Sequence, residues 1–499
     1  MARERDYYAP IPSPDIPAPT LDQYLRSVGA SRGGATGNAT IPEPADLTYA
    51  DSPLSLSTGA EITPAAPTVT NDVDSYAISP ALPNSTIPAI TLTADPQAGV
   101  LMPDNGALIN YKPAEFVLFP TAALANIWIP AGTAPPNGWP VVLTSGIAGY
   151  FGLAAMTELD PSDPLQLLFH KFANAGFAVM SVGANSSGNA SDPIASWFDL
   201  PGTGGDWEDM SKVLPDKDFL HAIQWVREQA TYDLDTDRIY LHGVSAGATI
   251  ALWIAFHPEL AASSGSSHIQ QSSAVAGVFA FNPLLSFLAY EDTWDVINAH
   301  FQSVANPGSD CTNLADADQT IRDQGSVARQ ILEPTSRAHA VPVLIACDEN
   351  VEYPDFRAES SGHPKARNLI GTPNVHDAWN SGMLRRMLRE LGGVHDAETT
   401  LYVHEATEPN LSTIKPEVDG TFAGQLVTGV DAADFWDVAV AQGVAWAEAA
   451  RPNPRGLQMN PRYGTIFGTP DTAQAATEHT VTATNAHGET TATISVEVT

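Results

Sequence analysis

Hydrophobic positions in the middle of the chain follow two patterns that alternate, a helical spacing and short continuous apolar runs. In DKDFLHAIQWVREQ, apolar Phe219, Ile223 and Val226 recur at helical spacing, and NSGMLRRMLRELGG is similarly amphipathic. Short apolar runs, among them RIYLH, SAVAGVFAF, AVPVLIAC and TTLYV, are typical of buried strands. Strands alternating with helices predict a mostly parallel sheet covered by helices, so we assign residues 84–455 to an α/β domain. Residues 285–338 are expected to form a helical cap within it.

The two ends of the chain have a different pattern, in which short alternating Thr, Val, Ile and Tyr runs are broken by Pro and Gly. This pattern is typical of a β-sandwich, but residues 44–83 and 456–499 each hold too few strands to close one. Their motifs LTY, YAISPALP, GTIFGTP and VTATN resemble an immunoglobulin-like repeat of bacterial surface and secreted proteins. The resemblance implies one split sandwich carrying the α/β domain in a loop; two unrelated β extensions are the alternative. Residues 1–43, rich in Pro and Gly, are predicted to be a linker or arm.

A serine flanked by glycines stands between a predicted strand and a predicted helix. GVSAG, residues 243–247, follows RIYLH and precedes a long apolar run. A nucleophilic serine on a strained strand-to-helix turn needs such glycines, because no Cβ fits there. The motif alone is a weak signal in a chain with 37 glycines, and an ordinary serine in a βα turn is the alternative. The order of helix, strand, serine and helix resembles an α/β-hydrolase, so Ser245 is predicted to be the nucleophile.

A catalytic serine needs a histidine that takes its proton and a carboxylate that orients the histidine. In the α/β-hydrolase order the acid follows the second strand after the serine strand. Asp348 ends the run VLIAC and is the predicted acid, with Glu349 and Asp355 as alternatives. DENV, residues 348–351, resembles a D-D-N-V segment of the prolyl oligopeptidase-like branch, in which the first Asp is the triad acid.

The base is expected to follow the next strand. His404 comes directly after LYV and is the predicted base, whereas His376 and His395 flank the helix before that strand. Many relatives have glycine beside this histidine, but here the run is VHEATEP. The loop around His404 is therefore expected to differ from theirs.

An oxyanion in a tetrahedral intermediate needs preorganised backbone N–H donors. We expect one donor from Ala246, at the start of the helix after the serine, and a second from Ile147, in the glycine turn SGI after the run PVVLT. Tyr150 and Phe151 follow that turn, and Trp207 lies in PGTGGDWEDM. These three aromatic side chains are candidates to line a substrate pocket, although ordinary core or surface positions explain them equally well.

The α/β domain thus resembles serine esterases of the α/β-hydrolase superfamily, of the dienelactone hydrolase or prolyl oligopeptidase-like type. Residues 218–260 also resemble the polyhydroxybutyrate depolymerase and feruloyl esterase group. The resemblance implies a carboxylic-ester hydrolase that forms an acyl-enzyme on a small or polymeric ester, without cofactor or metal. A prolyl oligopeptidase-like peptidase is one alternative, disfavoured because the chain has no β-propeller repeat. A non-catalytic surface or adhesive protein on a hydrolase scaffold is the other.

Charge and cysteine content narrow the expected partners and location. The net charge of −34 disfavours nucleic acid and anionic membranes as partners. No apolar run has the length of a membrane span, and MARERDYYAP lacks the apolar core of a signal peptide. The immunoglobulin-like resemblance nonetheless favours a secreted or surface location in a bacterium over a cytoplasmic one. Cys347 is predicted to be a buried thiol; its pairing with Cys311 and the oligomeric state stay open.

Overall fold

The structure is a computed structural model of the chain. It describes residues 42–92, 109–110, 124–130, 132–145, 164–183, 215–244, 246–261, 267–283, 327–348, 378–391, 400–404, 426–430 and 432–499.

These stretches contain strands from both ends and from the middle of the chain. The strands are β1 (Ala45–Tyr49), β2 (Leu54–Leu56), β3 (Pro67–Thr70), β4 (Ser75–Ser79), β5 (Thr86–Ile87), β6 (Ile109–Asn110), β7 (Leu124–Trp128), β8 (Trp139–Ser145), β9 (Ala178–Val182), β10 (Leu234–Val244), β11 (Gly277–Phe281), β12 (Val343–Asp348), β13 (Thr400–His404), β14 (Leu426–Val430), β15 (Arg451–Pro452), β16 (Gln458–Met459), β17 (Ile466–Phe467), β18 (Gln474–Asn485) and β19 (Gly488–Val498). The helices are α1 (Pro164–Asn174), α2 (Pro215–Glu228), α3 (Ala246–Phe256), α4 (Val327–Leu332), α5 (Ala378–Leu391) and α6 (Ala432–Glu448).

The larger unit is built on a nine-stranded mixed sheet. Its spatial order is β14, β13, β12, β11, β10, β8, β9, β7, β6. Strands β8 to β14 run parallel, whereas β7 is antiparallel to β9 and β6 is antiparallel to β7. Helices α1 to α5 each fall between consecutive parallel strands, as crossovers require. These elements confirm the predicted α/β class with a mostly parallel sheet.

Helices cover both faces of this sheet. Helices α2, α3, α4 and α5 pack on one face, against strand residues such as Leu241 and Ile345. Helices α1 and α6 pack on the other, where the Phe172 ring lies 5.1 Å from Phe279 and the Trp446 ring stacks on Tyr240 at 6.2 Å. Because the strands are buried on both faces, their sequences are almost continuously apolar.

Strands from before and after this unit share a second sheet. It has the order β2, β19, β18, β4, with Ile78 of β4 paired to Val481 of β18. The antiparallel pair β1 and β3 packs with it, and the Tyr49 hydroxyl donates a 2.6 Å hydrogen bond to the Gly464 carbonyl. Their common core contains Leu47, Leu54, Tyr76, Ile466, Ala483, Ile494 and Val496. The domain boundaries at residues 83 and 456 stay predictions.

Strand β5, before the larger unit, pairs with β15, after it. The two segments that connect the units therefore lie side by side. Buried Arg238 of β10 anchors this junction. Its Nε donates to the Ala447 carbonyl at 2.8 Å, its Nη1 to the Asp235 carboxylate at 2.6 Å, and its Nη2 to the Pro88 carbonyl. One guanidinium therefore ties the sheet to the segment after β5 and to the last turn of α6.

The smaller unit contacts the amino-terminal side of the sheet strands. Arg455, directly before the smaller unit, forms an ion pair with Asp237, in the first half of β10. The Phe467 ring lies 6.1 Å from the ring of His339, which precedes β12. These contacts place the smaller unit away from the carboxyl ends of the parallel strands.

The predicted cap falls mainly outside the described residues, which omit 284–326. Of the predicted cap, residues 327–338 are described. They include helix α4, whose Val327, Ala328 and Ile331 are buried in the core on one face of the sheet, with α3 and α5. Residues 327–332 therefore belong to the main core instead of an external lid.

Candidate active site

The candidate residues follow strands that end at one edge of the sheet. Parallel strands β8, β10, β12 and β13 present their carboxyl ends together, and open α/β sheets bind ligands at that edge. Ser245 follows β10, Asp348 ends β12 and His404 ends β13. Ser145 ends β8, two residues before Ile147. The backbone thus brings all four segments to the carboxyl edge.

A sharp turn joins β10 to α3. The strand ends at Val244 and the helix begins at Ala246, so residue 245 alone connects them. A Cβ built on Gly243 would lie 2.5 Å from the Ala248 nitrogen and closer still to the Gly247 carbonyl. The strand and helix backbones therefore approach so closely that position 243 accepts only glycine, as a nucleophile elbow requires.

Helix α3 directs its amino terminus at this turn. The helix is almost entirely buried, with Ile250, Leu252 and Ile254 each at most 1% exposed. No acidic residue stands in its first turn. Its first backbone N–H groups therefore provide an uncompensated partial positive charge beside residue 245. The helix would stabilise a negative charge placed there.

Asp348 and His404 are neighbours at the ends of adjacent strands. The parallel register of β12 and β13 pairs them directly. Their Cα atoms are therefore about one strand spacing apart, about 4.8 Å. The backbone alone thus places a carboxylate-bearing residue beside a histidine at the carboxyl edge. The two side chains lie outside what the structure describes.

The serine segment is farther away within the sheet plane. Strand β10 is two strand spacings from β12 and three from β13, or about 10 and 14 Å. Within the sheet plane, the ends of β12 and β11 therefore lie between the His404 and Ser245 segments. One row of paired residues crosses these strands at the carboxyl edge; it consists of Val244, Phe281, Ala346 and Tyr402.

The direction of helix α5 distinguishes His376 from His395 as alternative candidates for the base. It connects the parallel strands β12 and β13, so it begins at the carboxyl edge and ends at the amino edge. Its first residue, Ala378, comes two residues after His376, and its last, Leu391, comes four residues before His395. Connectivity therefore keeps His376 as a candidate base and disfavours His395.

Sequence reasoning missed a buried polar pair beneath the turn. Thr144 Oγ1 and His242 Nδ1 are 3.0 Å apart, on neighbouring strands β8 and β10. Burial lowers the pKa of His242 to about 3, so its imidazole is neutral at physiological pH. The signal was a polar residue at the end of each of two apolar runs, PVVLT and IYLH.

The remaining predicted site residues are not among those the structure describes. They are Ser245 itself, the oxyanion donor Ile147, the alternative acids Glu349 and Asp355, and the pocket aromatics Tyr150, Phe151 and Trp207. Their roles stay predictions.

Within the described ranges, no group of three or more His, Cys, Asp or Glu residues is arranged to hold a metal ion. Among the helices of those same ranges, none is both long and apolar enough to cross a membrane.

A family model described as "Putative Ig domain" matches residues 409–499. The match covers less than half of the chain. Its first part spans β14 and α6 of the larger unit, and its last part spans β16 to β19 of the smaller one. The chain therefore has an immunoglobulin-like region at its carboxyl-terminal end. No curated protein matches the chain.

Solved esterases and a related hydrolase are loosely similar in structure. The native thermophilic esterase Est2 of Thermogutta terrifontis is 17% identical, with a TM-score of 0.36, over 62% of this chain and 88% of that one. An acetyl ester-xyloside bifunctional hydrolase of Caldicellulosiruptor lactoaceticus is 13% identical, with a TM-score of 0.39, over 68% and 97%. An inhibited esterase B of Lactobacillus rhamnosis is 13% identical, with a TM-score of 0.39, over 72% and 90%.

Proposed function

We propose that this chain is a serine carboxylic-ester hydrolase with the α/β-hydrolase organisation. The junction of β10 and α3 carries the proposal. One residue, Ser245, separates strand from helix, and Gly243 lies in backbone contact with the first turn of the helix. Such a turn holds a serine hydroxyl above the sheet edge, beside the helix amino terminus. The strand order supplies an acid and a base segment at the same edge.

In the proposed reaction, Ser245 Oγ attacks the carbonyl carbon of an ester while His404 accepts its proton. The carbonyl oxygen becomes an oxyanion that accepts hydrogen bonds from the Ala246 and Ile147 N–H groups. Collapse breaks the ester bond, His404 returns the proton to the leaving alcohol, and an acyl-enzyme remains. Water then repeats the sequence and releases the carboxylic acid. Asp348 orients the imidazole and stabilises its protonated form.

The substrate is an ester, either a small molecule or a polymer. Tyr150, Phe151 and Trp207 are proposed to line its pocket, and the reaction uses no cofactor. The immunoglobulin-like region supports a secreted or surface location in a bacterium. This placement stays part of the proposal.

Hydrolysis of a p-nitrophenyl ester series, from acetate to decanoate, tests the reaction. The purified chain should release p-nitrophenol, and Ser245→Ala should lower kcat by at least about 10⁴-fold without changing the thermal midpoint. A fluorophosphonate probe should label Ser245. Because α3 lies in the core, folding of the variant is checked by circular dichroism. Full labelling of Ser245→Ala, or unchanged turnover, contradicts the proposal.

The base is tested by a matched pair of histidine variants. His404→Ala should lower kcat by at least about 10³-fold, while His376→Ala should keep kcat within about threefold. The reverse result would transfer the role to His376 and overturn the assignment of His404. A dipeptide p-nitroanilide, assayed alongside, separates the esterase from the prolyl oligopeptidase-like alternative. Hydrolysis of the anilide with no ester turnover would favour the peptidase.

A further inference from the structure

Thr144 and His242 form a dry polar contact inside the sheet. Thr144 is fully buried and His242 is 3% exposed. The imidazole is held by aromatic rings, Phe169 edge-on at 4.9 Å and Phe281 at 5.2 Å. Its Nδ1 meets the Thr144 hydroxyl at 3.0 Å. The imidazole is thus buried between two aromatic rings with its Nδ1 at hydrogen-bond distance from Thr144.

Apolar residues would serve the core equally well at both positions. The surrounding apolar cluster includes Val142, Val179, Tyr240 and Phe279, besides the two contacting phenylalanines. A buried hydrogen bond adds only about 1 kcal/mol net to stability, and a buried polar atom left unpaired costs more. His242 Nε2 makes no hydrogen bond within the described residues, so the pair is not optimised for stability alone. A role in function explains its presence better.

The contact lies where β8 and β10 part. The two strands pair in register up to Thr144 and His242. Beyond that row, β8 continues through Ser145 toward Ile147, and β10 continues through Val244 to the turn before Ala246. The side-chain bond therefore clamps the row of the sheet from which both proposed oxyanion donors extend.

We propose that Thr144 and His242 are positioning residues for the oxyanion hole. Their hydrogen bond fixes the separation between the segment that carries the Ile147 N–H and the turn that carries the Ala246 N–H. The proposal rests on the serine-hydrolase function. Oxyanion donors act at hydrogen-bond distance from a charge that exists only in the transition state. A displacement that barely alters substrate binding is therefore enough to slow the reaction.

The neutral state of His242 fits this role. Burial holds its pKa far below the ordinary value for histidine, so the ring carries no charge that would compete with the catalytic base. Its side chain also points to the face covered by α1 and α6, whereas α3 packs on the other face. His242 thus acts through the backbone and does not touch the substrate.

Two matched pairs of variants test the contact. Thr144→Val and His242→Leu remove the hydrogen bond, whereas Thr144→Ser and His242→Asn retain a hydrogen-bonding group at the same place. The first two should each lower kcat about tenfold with KM nearly unchanged, and the second two should stay within about twofold of the parent. The double variant Thr144→Val/His242→Leu should be no slower than the worse single variant, because both remove one bond.

A transition-state analogue supplies the readout that a purely structural role would not move. An alkyl trifluoromethyl ketone adds to the serine and places an oxyanion in the hole. Its Ki should rise in Thr144→Val by the same factor by which kcat/KM falls. Unchanged kcat in Thr144→Val, equal losses in Thr144→Val and Thr144→Ser, or slower turnover with unchanged Ki would each overturn the inference.

The outcomes also separate this inference from the proposed function. If the unsubstituted chain has no Ser245-dependent esterase activity, both fail together. If that activity is present and Thr144→Val leaves it unaltered, only the positioning role fails. If His242→Leu does not fold, the Thr144 pair decides alone, since Val and Thr have nearly the same shape.

Discussion

Buried histidines are the most unusual single residues of this chain. His242 lies under the candidate turn, and His339 lies before β12 with its Nδ1 3.0 Å from the Ser336 carbonyl oxygen. Burial lowers the pKa of His339 to about 4, as it lowers that of His242 to about 3. Both rings are therefore neutral in the folded protein near pH 7.

The pKa of each of these histidines is lower in the folded chain than in the unfolded one, and this difference makes the folded state sensitive to acid. An unfolded histidine takes a proton below about pH 6.5, whereas these two do not, so protons favour the unfolded chain. The stability that each neutral ring retains above pH 6.5 is lost as the pH falls toward its folded pKa. Between pH 7.5 and pH 5 the loss is about 2 kcal/mol per histidine.

His339→Asn tests this at one site, because the asparagine amide still donates to the Ser336 carbonyl. The variant's free energy of unfolding should fall less on going from pH 7.5 to pH 5 than that of the parent, by about 2 kcal/mol. Urea unfolding at the two pH values measures this change in free energy for variant and parent. The carboxylates contribute equally to both proteins, so their effect cancels in the comparison. Parallel losses in variant and parent would show that His339 titrates normally in the folded protein.

At the scale of elements, the β10–α3 junction depends on the absence of a side chain at Gly243. Gly243→Ala should lower the free energy of unfolding by about 3 kcal/mol, because its Cβ would overlap the first turn of α3. Gly59→Ala is the control: its φ is +77°, but no heavy atom lies within 4 Å of the added Cβ. That variant should lose only about 1 kcal/mol, from backbone strain. Equal losses by chemical unfolding would mean that the junction is not closely packed.

The central elements could be predicted from the sequence because they are buried on defined faces. Strands β10 to β13 and helices α2, α5 and α6 stand where apolar runs and helical spacing placed them. The directions of β6 and β7 could not be predicted, since strand direction is set by connections and not by local pattern. Helix α4 could not be assigned to core or cap from the sequence, because its helical spacing is the same for a core helix and a lid helix.

In the candidate site, too, some residues could be predicted from the sequence and others could not. Motif order predicted Ser245, Asp348 and His404, and the backbone brings their three segments to one edge, while their roles stay predictions. Thr144 and His242 were missed because a polar residue in a buried strand has no motif. Its significance comes from the neighbour across the sheet, which the sequence places 98 residues away.

At the scale of the whole molecule, the junction between the units depends on one buried cation. Arg238→Leu should cost about 3–5 kcal/mol, because it leaves the Asp235 carboxylate buried without its partner. Arg455→Leu is the matched control, since the Arg455–Asp237 pair has side chains that are 35% and 32% exposed. That loss should stay under about 1 kcal/mol. Calorimetry compares the two midpoints, and a larger shift for Arg455→Leu would reverse the assignment of the anchor.

The shared sheet of the smaller unit has a consequence for biosynthesis. The carbonyl of Pro80 meets the His479 ring, its partner 399 positions later, so the early strands cannot complete their sheet until the late strands exist. At about 5–20 residues per second, a ribosome needs roughly 20–80 s for roughly 400 residues. During that interval β2 and β4 have no partner from β18 or β19 and are open to pairing with other chains. Prior folding of the larger unit shortens the exposure, because the pairing of β5 with β15 then brings the late strands beside the early ones as soon as they emerge.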